Sequence, residues 1–201
     1  MMRSRRTRLT TWGVAGVAFL ALVAGVVFSS RFGIDPNLSV SPLLDKPVPD
    51  REIPLIGGQG SVNLADFKGE VVVVNFWGPW CIWCDDEHPA LLATAEAYAG
   101  QNVRFVGVAW NTTEASATEF LDRYGWGDDF TYAIDLDQRA TIDFGVRGAP
   151  ETFFISPEGV VVGKISGPVV DSLILAQTID RILAGERPGS RTVGETQTPG
   201  S

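Results

Sequence analysis

The stretch EVVVVNFWGPWCIWC, residues 70–84, contains four consecutive valines and both cysteines of the chain. A β-branched run of this length predicts a strand at 70–78 that lies inside a sheet and is covered on both faces. A helical pattern follows from Ile82 to Ala99, so the cysteines lie where a strand ends and a helix begins. Open α/β sheets generally place their sites at this edge, outside the carboxyl ends of the strands.

The rest of the chain continues the alternation of strands and helices. Short β-branched runs between turn residues predict strands, and apolar residues at helical spacing predict helices. The predicted strands are 51–58, 61–64, 70–78, 103–110, 130–135, 151–156 and 160–166, and the predicted helices are 82–99, 113–125, 137–145 and 171–185. This order predicts an α/β three-layer domain with a central mixed sheet over residues 47–185.

The two ends of the chain differ from this domain. Residues 1–8 contain four arginines and no acid, and residues 9–30 carry no charged side chain. An apolar helix of about 20 residues spans a bilayer, and basic residues before it favour a cytoplasmic N-terminus. We expect an uncleaved transmembrane anchor at 9–30, with a cleaved signal peptide as the alternative. Residues 31–46 are predicted to be a tether, and residues 186–201 a disordered tail.

This topology places the domain outside the cytoplasm, on a single-pass protein of the cell membrane (in the periplasm where an outer membrane exists). Thiols there tend to oxidise, so a lone cysteine pair is either a permanent disulfide or a working redox centre. The chain has 16 basic and 24 acidic side chains, and four of the basic ones belong to the N-terminal end. The acidic body argues strongly against nucleic acid as a partner, because phosphates need clustered positive charge.

The spacing of Cys81 and Cys84 predicts different tasks for the two sulfurs. If Cys81 lies in the first turn of the helix, unpaired N–H groups and the helix dipole stabilise its thiolate, the nucleophilic form. Cys84, one turn further, would face the domain body and resolve a mixed disulfide formed at Cys81. The alternatives are an inert bridge, a zinc site, or a copper site that adds His88. Zinc is disfavoured because structural sites need about four ligands.

Side chains next to the pair are candidates for proton transfer and for substrate contact. Glu87 lies three residues after Cys84, near enough on a helix to exchange a proton with its sulfur. A solvated helix face is the equal alternative for Glu87. The lone His88 is interpreted as a helix-surface residue rather than a catalyst. Trp80 and Trp83 would form an apolar rim for a partner polypeptide.

Two separated motifs resemble the thioredoxin superfamily. VVVVNFWGPWCIWC, residues 71–84, reproduces the passage from a strand through W-C-x-x-C into a helix. The flanking NLADFKG and EHPAL are similar to the membrane-anchored TlpA/ResA/CcmG (DsbE) branch of thiol–disulfide oxidoreductases. The stretch FGVRGAPETFFISPEGVV, residues 144–161, is most similar to CcmG/DsbE. The resemblance covers residues 47–185 and implies a thioredoxin-like fold for that domain.

The resemblance implies roles for residues that are distant from the cysteines in sequence. Pro150 would be a cis-proline that packs beside the disulfide, and Ala149 would offer its backbone groups to an extended substrate. Glu151 and Glu87 would match acidic residues associated with the active site. The chain departs from its relatives between the cysteines, where an Ile-Trp pair stands in place of a pair that commonly contains proline. Because this pair influences the redox potential, the strength of the protein as a reductant stays open.

The resemblance also implies a function. An outward-facing member of this branch would reduce disulfides of apocytochrome c for haem attachment, with a membrane electron donor of the CcdA/DsbD type. We expect no metal and no cofactor besides the redox-active disulfide. A general reductant, an oxidant of other substrates and a copper metallochaperone are the alternatives. A peroxidase is disfavoured, since PWCIWC lacks the Thr-x-x-Cys arrangement of peroxiredoxins.

Overall fold

The computed structural model of the protein describes residues 19–23, 25 and 41–200. Two compact units make up the chain, residues 1–38 and 39–201. Residues 19–23 and 25 of the first unit are helical. The second unit contains every strand of the described residues, and its organisation determines where the cysteines lie.

The predictions for the N-terminal end fall mainly outside these residues. This holds for the basic end at 1–8, for most of the anchor at 9–30 and for the tether as far as residue 40. Within the described ranges, no helix is long and apolar enough to cross a bilayer. The anchor therefore stays a prediction.

The second unit alternates strands and helices in the predicted order, with one additional strand near its C-terminal end. Its strands are β1 (Glu52–Pro54), β2 (Ser61–Asn63), β3 (Val71–Trp77), β4 (Val103–Trp110), β5 (Phe130–Asp135), β6 (Glu151–Ile155), β7 (Val161–Ser166) and β8 (Gly189–Thr192). Its helices are α1 (Cys84–Ala97), α2 (Glu114–Tyr124), α3 (Arg139–Phe144) and α4 (Ser172–Leu183). A short 3-10 helix, Leu64–Asp66, follows β2.

Six strands form one sheet in the order β5-β4-β3-β6-β7-β8. The first three, β5, β4 and β3, are parallel to one another. β6 runs antiparallel to β3, β7 runs antiparallel to β6, and β8 runs parallel to β7. β1 and β2 form a separate antiparallel hairpin. The predicted α/β class and central mixed sheet are confirmed.

β3 lies in the middle of the sheet because its side chains are buried on both faces, as the valine run predicts. Val72, Val74 and Phe76 belong to one hydrophobic cluster, which the β1–β2 hairpin and α3 cover. Val71 and Val73 belong to a second cluster, which α1 and α4 cover. The sheet is thus the middle of three layers, and all seven residues of its central strand are buried.

The domain is longer than the predicted 47–185 at both ends. Ser41 is buried, and the N–H of Asp45 donates to the Val161 carbonyl oxygen at 2.9 Å, so the last residues of the predicted tether pack on the domain. β8 lies within the predicted disordered tail, 186–201, and pairs with β7. The prediction of disorder is wrong there, because an edge strand needs partners for its backbone N–H and C=O groups rather than apolar side chains.

β6 and β7 enclose a buried ion pair that holds the start of β6 in place. Lys164 on β7 has a fully buried side chain, and its Nζ lies 2.9 Å from Oε2 of Glu151, the first residue of β6. The N–H of Arg147 donates to the same Oε2 at 3.4 Å. Moving a charged pair out of water is costly, and leaving one partner buried alone costs more. Each side chain of the pair therefore compensates for the burial of the other's charge.

We expect Lys164→Met to lower the free energy of unfolding by about 3–5 kcal/mol, because Glu151 would be left buried without its cation. Lys68→Met, at an exposed position, is the control and should change that free energy by less than about 0.5 kcal/mol. The double variant Lys164→Met/Glu151→Gln should recover part of the loss. Urea unfolding followed by tryptophan fluorescence measures these values. Equal stability of Lys164→Met and the unaltered chain would contradict the prediction.

Candidate active site

The two cysteines lie between the end of β3 and the start of α1. β3 ends at Trp77, and α1 begins at Cys84. The N–H of Cys81 donates to the Gly78 carbonyl oxygen at 3.0 Å, and the N–H of Cys84 donates to the Cys81 carbonyl oxygen at 3.2 Å. Cys81 therefore precedes the helix instead of lying in its first turn, which corrects the prediction. Two successive turns are needed to lead the chain from the sheet edge into the helix.

The cysteines form a disulfide, and the two residues are only 2% and 4% exposed. Their surroundings nonetheless differ. A surface cleft of about 420 Å³ is lined by Cys81 and Ile82 and by side chains of α2, but not by Cys84. An incoming sulfur can thus approach Cys81 from the cleft, whereas Cys84 does not border it. Attack by one cysteine and resolution by the other require this asymmetry.

The second motif lies beside the disulfide. The Ala149–Pro150 peptide bond is cis, and β6 begins directly after it. The antiparallel pairing of β3 and β6 sets Phe76 opposite Glu151, so the cis bond lies at the sheet edge where β3 ends. Ala149 is buried in the same hydrophobic cluster as both cysteines. The structure thus brings the two sequence motifs together, as the resemblance implied.

The backbone groups of Ala149 already have a partner, which the sequence did not predict. The N–H of Ala149 donates to the carbonyl oxygen of Gln197, and its own carbonyl oxygen accepts from the Gln197 N–H, both at 2.7 Å. The Oε1 of Gln197 accepts from the N–H of Ile82 at 2.9 Å. A backbone bridge of this kind needs no apolar side chain, so no pattern in the tail of the sequence marks it.

Glu87 lies on the buried face of α1, so the alternative of a solvated helix face is wrong. The residue is 1% exposed. Its Oε1 accepts from Nδ2 of Asn75 at 2.5 Å, and its Oε2 accepts from the Val169 N–H at 2.8 Å. Burial raises the pKa of Glu87 from 4.5 to about 8, against the lowering effect of these two hydrogen bonds. A carboxyl that can exchange its proton near neutral pH thus lies one helical turn after Cys84.

Asn75 is a residue of the site that the sequence motifs did not predict. It lies on β3 and is buried. Its Nδ2 donates to Oγ1 of Thr152 on β6, at 3.1 Å, as well as to Glu87. The available signal was a polar residue inside the run VVVVNFW, because a buried amide must find hydrogen-bond partners.

His88 is buried, which corrects the interpretation as a helix-surface residue. It is 5% exposed, and its Nε2 lies 2.7 Å from the Gly125 carbonyl oxygen. A carbonyl oxygen can only accept, so Nε2 carries the hydrogen. The imidazole also packs against the rings of Phe120 and Tyr132, and burial lowers its pKa. The side chain therefore joins α1 to the end of α2.

In this oxidised structure the three residues of the copper alternative have other partners. Cys81 and Cys84 are bonded to each other, and Nε2 of His88 is hydrogen bonded to a carbonyl oxygen. In the part of the chain that the structure describes, no group of three or more His, Cys, Asp and Glu side chains is placed to hold a metal ion.

The predicted aromatic rim is only partly at the surface. Trp83 is 39% exposed and Ile82 is 63% exposed. Trp80 is half-buried, and its indole N–H donates to the Trp110 carbonyl oxygen at 3.2 Å. Glu151, which the resemblance placed among the active-site acids, is buried in its ion pair instead of facing a substrate. The exposed apolar surface is therefore formed by the two residues between the cysteines.

Comparison with known proteins identifies relatives that match most of the chain. Residues 44–164 match the sequence model of the AhpC/TSA family. The chain is 37% identical over 173 residues to the thiol:disulfide interchange protein DsbE of Allochromatium vinosum, covering 85% of this chain and 91% of that protein. It is 32% identical over 171 residues to the thiol:disulfide interchange protein HelX of Rhodobacter capsulatus, covering 83% of this chain and 93% of that protein.

A solved structure shows the same fold. The crystal structure of a Chlorobium tepidum protein, assigned as thiol:disulfide interchange protein DsbE, matches with a TM-score of 0.63 at 30% identity. The match covers 70% of this chain and 99% of that one. The predicted thioredoxin-like fold is thereby confirmed. The chain belongs to the thioredoxin-like AhpC/TSA family, among relatives that are thiol:disulfide interchange proteins, and it is a thiol–disulfide oxidoreductase.

Proposed function

We propose that the protein is an extracytoplasmic, membrane-anchored oxidoreductase that reduces disulfides of apocytochrome c before haem attachment. The observation that carries the exchange chemistry is the asymmetry of the pair. Cys81 borders an open cleft, whereas Cys84 does not border it and lies one helical turn before the buried Glu87. The similarity to the DsbE and HelX interchange proteins supports a disulfide-bearing protein as the substrate. The choice of apocytochrome c as the substrate follows from the resemblance of residues 144–161 to the CcmG/DsbE branch.

Reduction of a substrate begins at Cys81. Its thiolate attacks one sulfur of the substrate disulfide and displaces the other as a thiolate, which leaves a mixed disulfide between Cys81 and the substrate. Cys84 then loses its proton, attacks the sulfur of Cys81 and releases the second substrate thiolate. Two electrons pass to the substrate, and the protein is left with the Cys81–Cys84 disulfide.

Glu87 supplies the proton exchange that this resolution step needs. Glu87 and Cys84 lie one turn apart on α1 and are both buried, so bulk water is a poor acceptor for the thiol proton. With a pKa of about 8, the carboxyl is partly ionised near neutral pH, and its ionised form accepts the Cys84 proton. When the disulfide is reduced again, the neutral carboxyl returns a proton to the Cys84 thiolate.

The oxidised pair must be reduced before another turnover. Outside the cytoplasm no glutathione or thioredoxin pool keeps thiols reduced, so the proposal includes a membrane electron donor of the CcdA/DsbD type. The apolar segment at 9–30 would anchor the chain in the cell membrane and keep the domain near such a donor. The donor thiolate would attack Cys81, and the steps above would run in reverse.

The direction of electron flow is tested by the reduction potential of the pair. A general reductant or an oxidant would use the same residues. The Ile-Trp pair between the cysteines influences the reduction potential, which decides between these two functions. We expect a potential below about −200 mV, closer to thioredoxin at about −270 mV than to the oxidant DsbA at about −120 mV. Equilibration with dithiothreitol buffers, followed by tryptophan fluorescence, measures it. A value near that of DsbA would reverse the proposed direction.

We expect Cys84→Ala in the full chain to accumulate a mixed disulfide at Cys81, because the resolving sulfur is missing. Non-reducing electrophoresis and mass spectrometry identify the captured chain, and an apocytochrome c would support the proposal. Cys81→Ala is the matched control and should capture nothing, since it lacks the sulfur that borders the cleft. The absence of any Cys81-dependent adduct in growing cells would count against an exchange function.

We expect the rate constant for reduction of the disulfide by dithiothreitol, expressed per thiolate, to fall as the pH rises through about 8. Below this pH the neutral Glu87 carboxyl protonates the departing Cys84 thiolate, and above it the ionised carboxyl does not. Glu87→Gln should lose this inflection and slow the reaction below pH 8 by about tenfold or more. Asp86→Asn, at an exposed position of the same helix, should keep the inflection.

Stopped-flow tryptophan fluorescence across the pH range measures these profiles. The inflection itself, rather than the absolute rate, is the decisive readout, because a purely structural role of Glu87 would change the rate at every pH alike. An inflection that persists in Glu87→Gln would remove this residue from the proposed mechanism.

A further inference from the structure

The C-terminal segment, residues 193–200, lies against the active-site edge of the domain. Gln197 forms a two-way backbone pair with Ala149, at 2.7 Å in each direction. The side-chain Oε1 of Gln197 accepts from the N–H of Ile82 at 2.9 Å. One residue of the segment is thus bonded both to the residue before the cis-proline and to the residue that follows Cys81.

Two glycines make room for the path of this segment. A Cβ on Gly148 would lie 2.8 Å from the Gln197 carbonyl oxygen and 2.9 Å from the side chain of Thr196. A Cβ on Gly167 would overlap the carbonyl oxygen of Val193. The segment therefore approaches the domain more closely than any other residue type at these two positions would allow. The segment thus fits closely over the backbone at these two glycines.

The groups that the segment occupies include those that the resemblance to the thioredoxin superfamily assigns to an extended substrate. A strand that brings its disulfide to Cys81 would pair with the N–H and C=O of Ala149, and the Ile82 N–H is a further donor next to the sulfur. The sequence of the segment, VGETQTPG, contains no cysteine. It can therefore occupy this edge but cannot form a mixed disulfide.

The segment is held mainly by hydrogen bonds. Most of its residues are exposed, and Val193, Gln197 and Pro199 are half-buried. A hydrogen bond adds little net free energy, because water competes for the same groups. Segments with little buried apolar surface also open locally more easily than the core does. A competing strand that forms the same bonds can therefore replace this one.

We propose that the C-terminal segment is a resident competitor at the docking edge formed by Ala149 and the Ile82 amide, where it occupies the backbone groups that the resemblance assigns to an extended substrate. A disulfide-bearing substrate strand must displace the segment before Cys81 can react with it. This inference rests on the proposed exchange function and adds a competition for the same backbone groups. The occupant lowers the fraction of molecules that can accept a strand, and hence the apparent rate of exchange with peptides.

The test compares the full-length chain with a chain that ends at Gly194, which keeps β8 and the hydrogen bond from the Val193 N–H to the Ser166 carbonyl oxygen. The probe is a short reduced peptide with two cysteines, and dithiothreitol is the reference reductant, which needs no strand pairing. Stopped-flow tryptophan fluorescence gives the rate constant for reduction of the disulfide by each. We expect truncation to raise the peptide-to-dithiothreitol ratio by about tenfold or more, because it removes three hydrogen bonds, two to Ala149 and one to the Ile82 N–H.

Point variants in the full-length chain make the test independent of truncation. Gln197→Ala removes the side-chain bond to the Ile82 amide and keeps the backbone pair with Ala149, and should raise the ratio by about threefold. Gln197→Pro also removes the N–H that donates to the Ala149 carbonyl oxygen, and should raise the ratio further, towards that of the truncated chain. Glu195→Ala, at an exposed position of the same segment, is the matched control and should leave the ratio unchanged.

A synthetic peptide of residues 195–201, added to the truncated chain, should restore the low ratio and give a binding signal in titration calorimetry. Equal ratios in truncated and full-length chains that both exchange thiols would overturn the docking proposal. If none of the chains reacts with either reductant, the proposed function fails. The calorimetric titration then decides the docking proposal separately, and the absence of binding would overturn it.

Discussion

The antiparallel pairing of β3 with β6 is the constraint on which the site depends. It places the end of the valine-rich strand against the start of β6, and so brings the cysteine-containing turn beside the cis bond at Pro150. Because β3 is apolar on both faces, hydrophobic burial alone would tolerate a shift of register. Asn75 removes that ambiguity. Its buried amide lies opposite Thr152 in this register and bonds to it and to Glu87, so one polar side chain aligns two strands and a helix.

The two buried glutamates of the site are stabilised in different ways. Glu151 has a cation, Lys164, whereas Glu87 has only neutral donors from a side-chain amide and a backbone N–H. A cation favours the charged form of a carboxyl, while neutral donors only partly offset the cost of burying its charge. The first arrangement secures the start of β6. The second leaves a carboxyl suited to proton exchange near Cys84.

The elements of the domain could be predicted because each has a local signal. Thr113 and Asp171 cap α2 and α4, and Gly125 follows the end of α2, so these helices begin and end within two residues of the predicted bounds. The errors occur where no such signal exists. In α1 the apolar and polar residues show little helical periodicity, so the pattern could not tell that Glu87 and His88 face the interior. β8 and the segment after it are held by backbone hydrogen bonds. They have almost no apolar side chains, so no hydrophobic pattern marks them in the sequence.

By itself the sequence determined the order of strands and helices as far as α4, the position of the cysteine pair at a strand end and, through two separated motifs, the family. These features follow from local chemistry: β-branched residues favour strands, and capping side chains and glycines end helices. Only the tertiary structure decided what surrounds the pair. Cys81 borders the cleft and Cys84 does not. Glu87 is buried, and Gln197 forms hydrogen bonds with the backbone N–H and C=O of Ala149. Burial and long-range backbone pairing depend on residues far apart in the chain, and local patterns do not specify which of them meet.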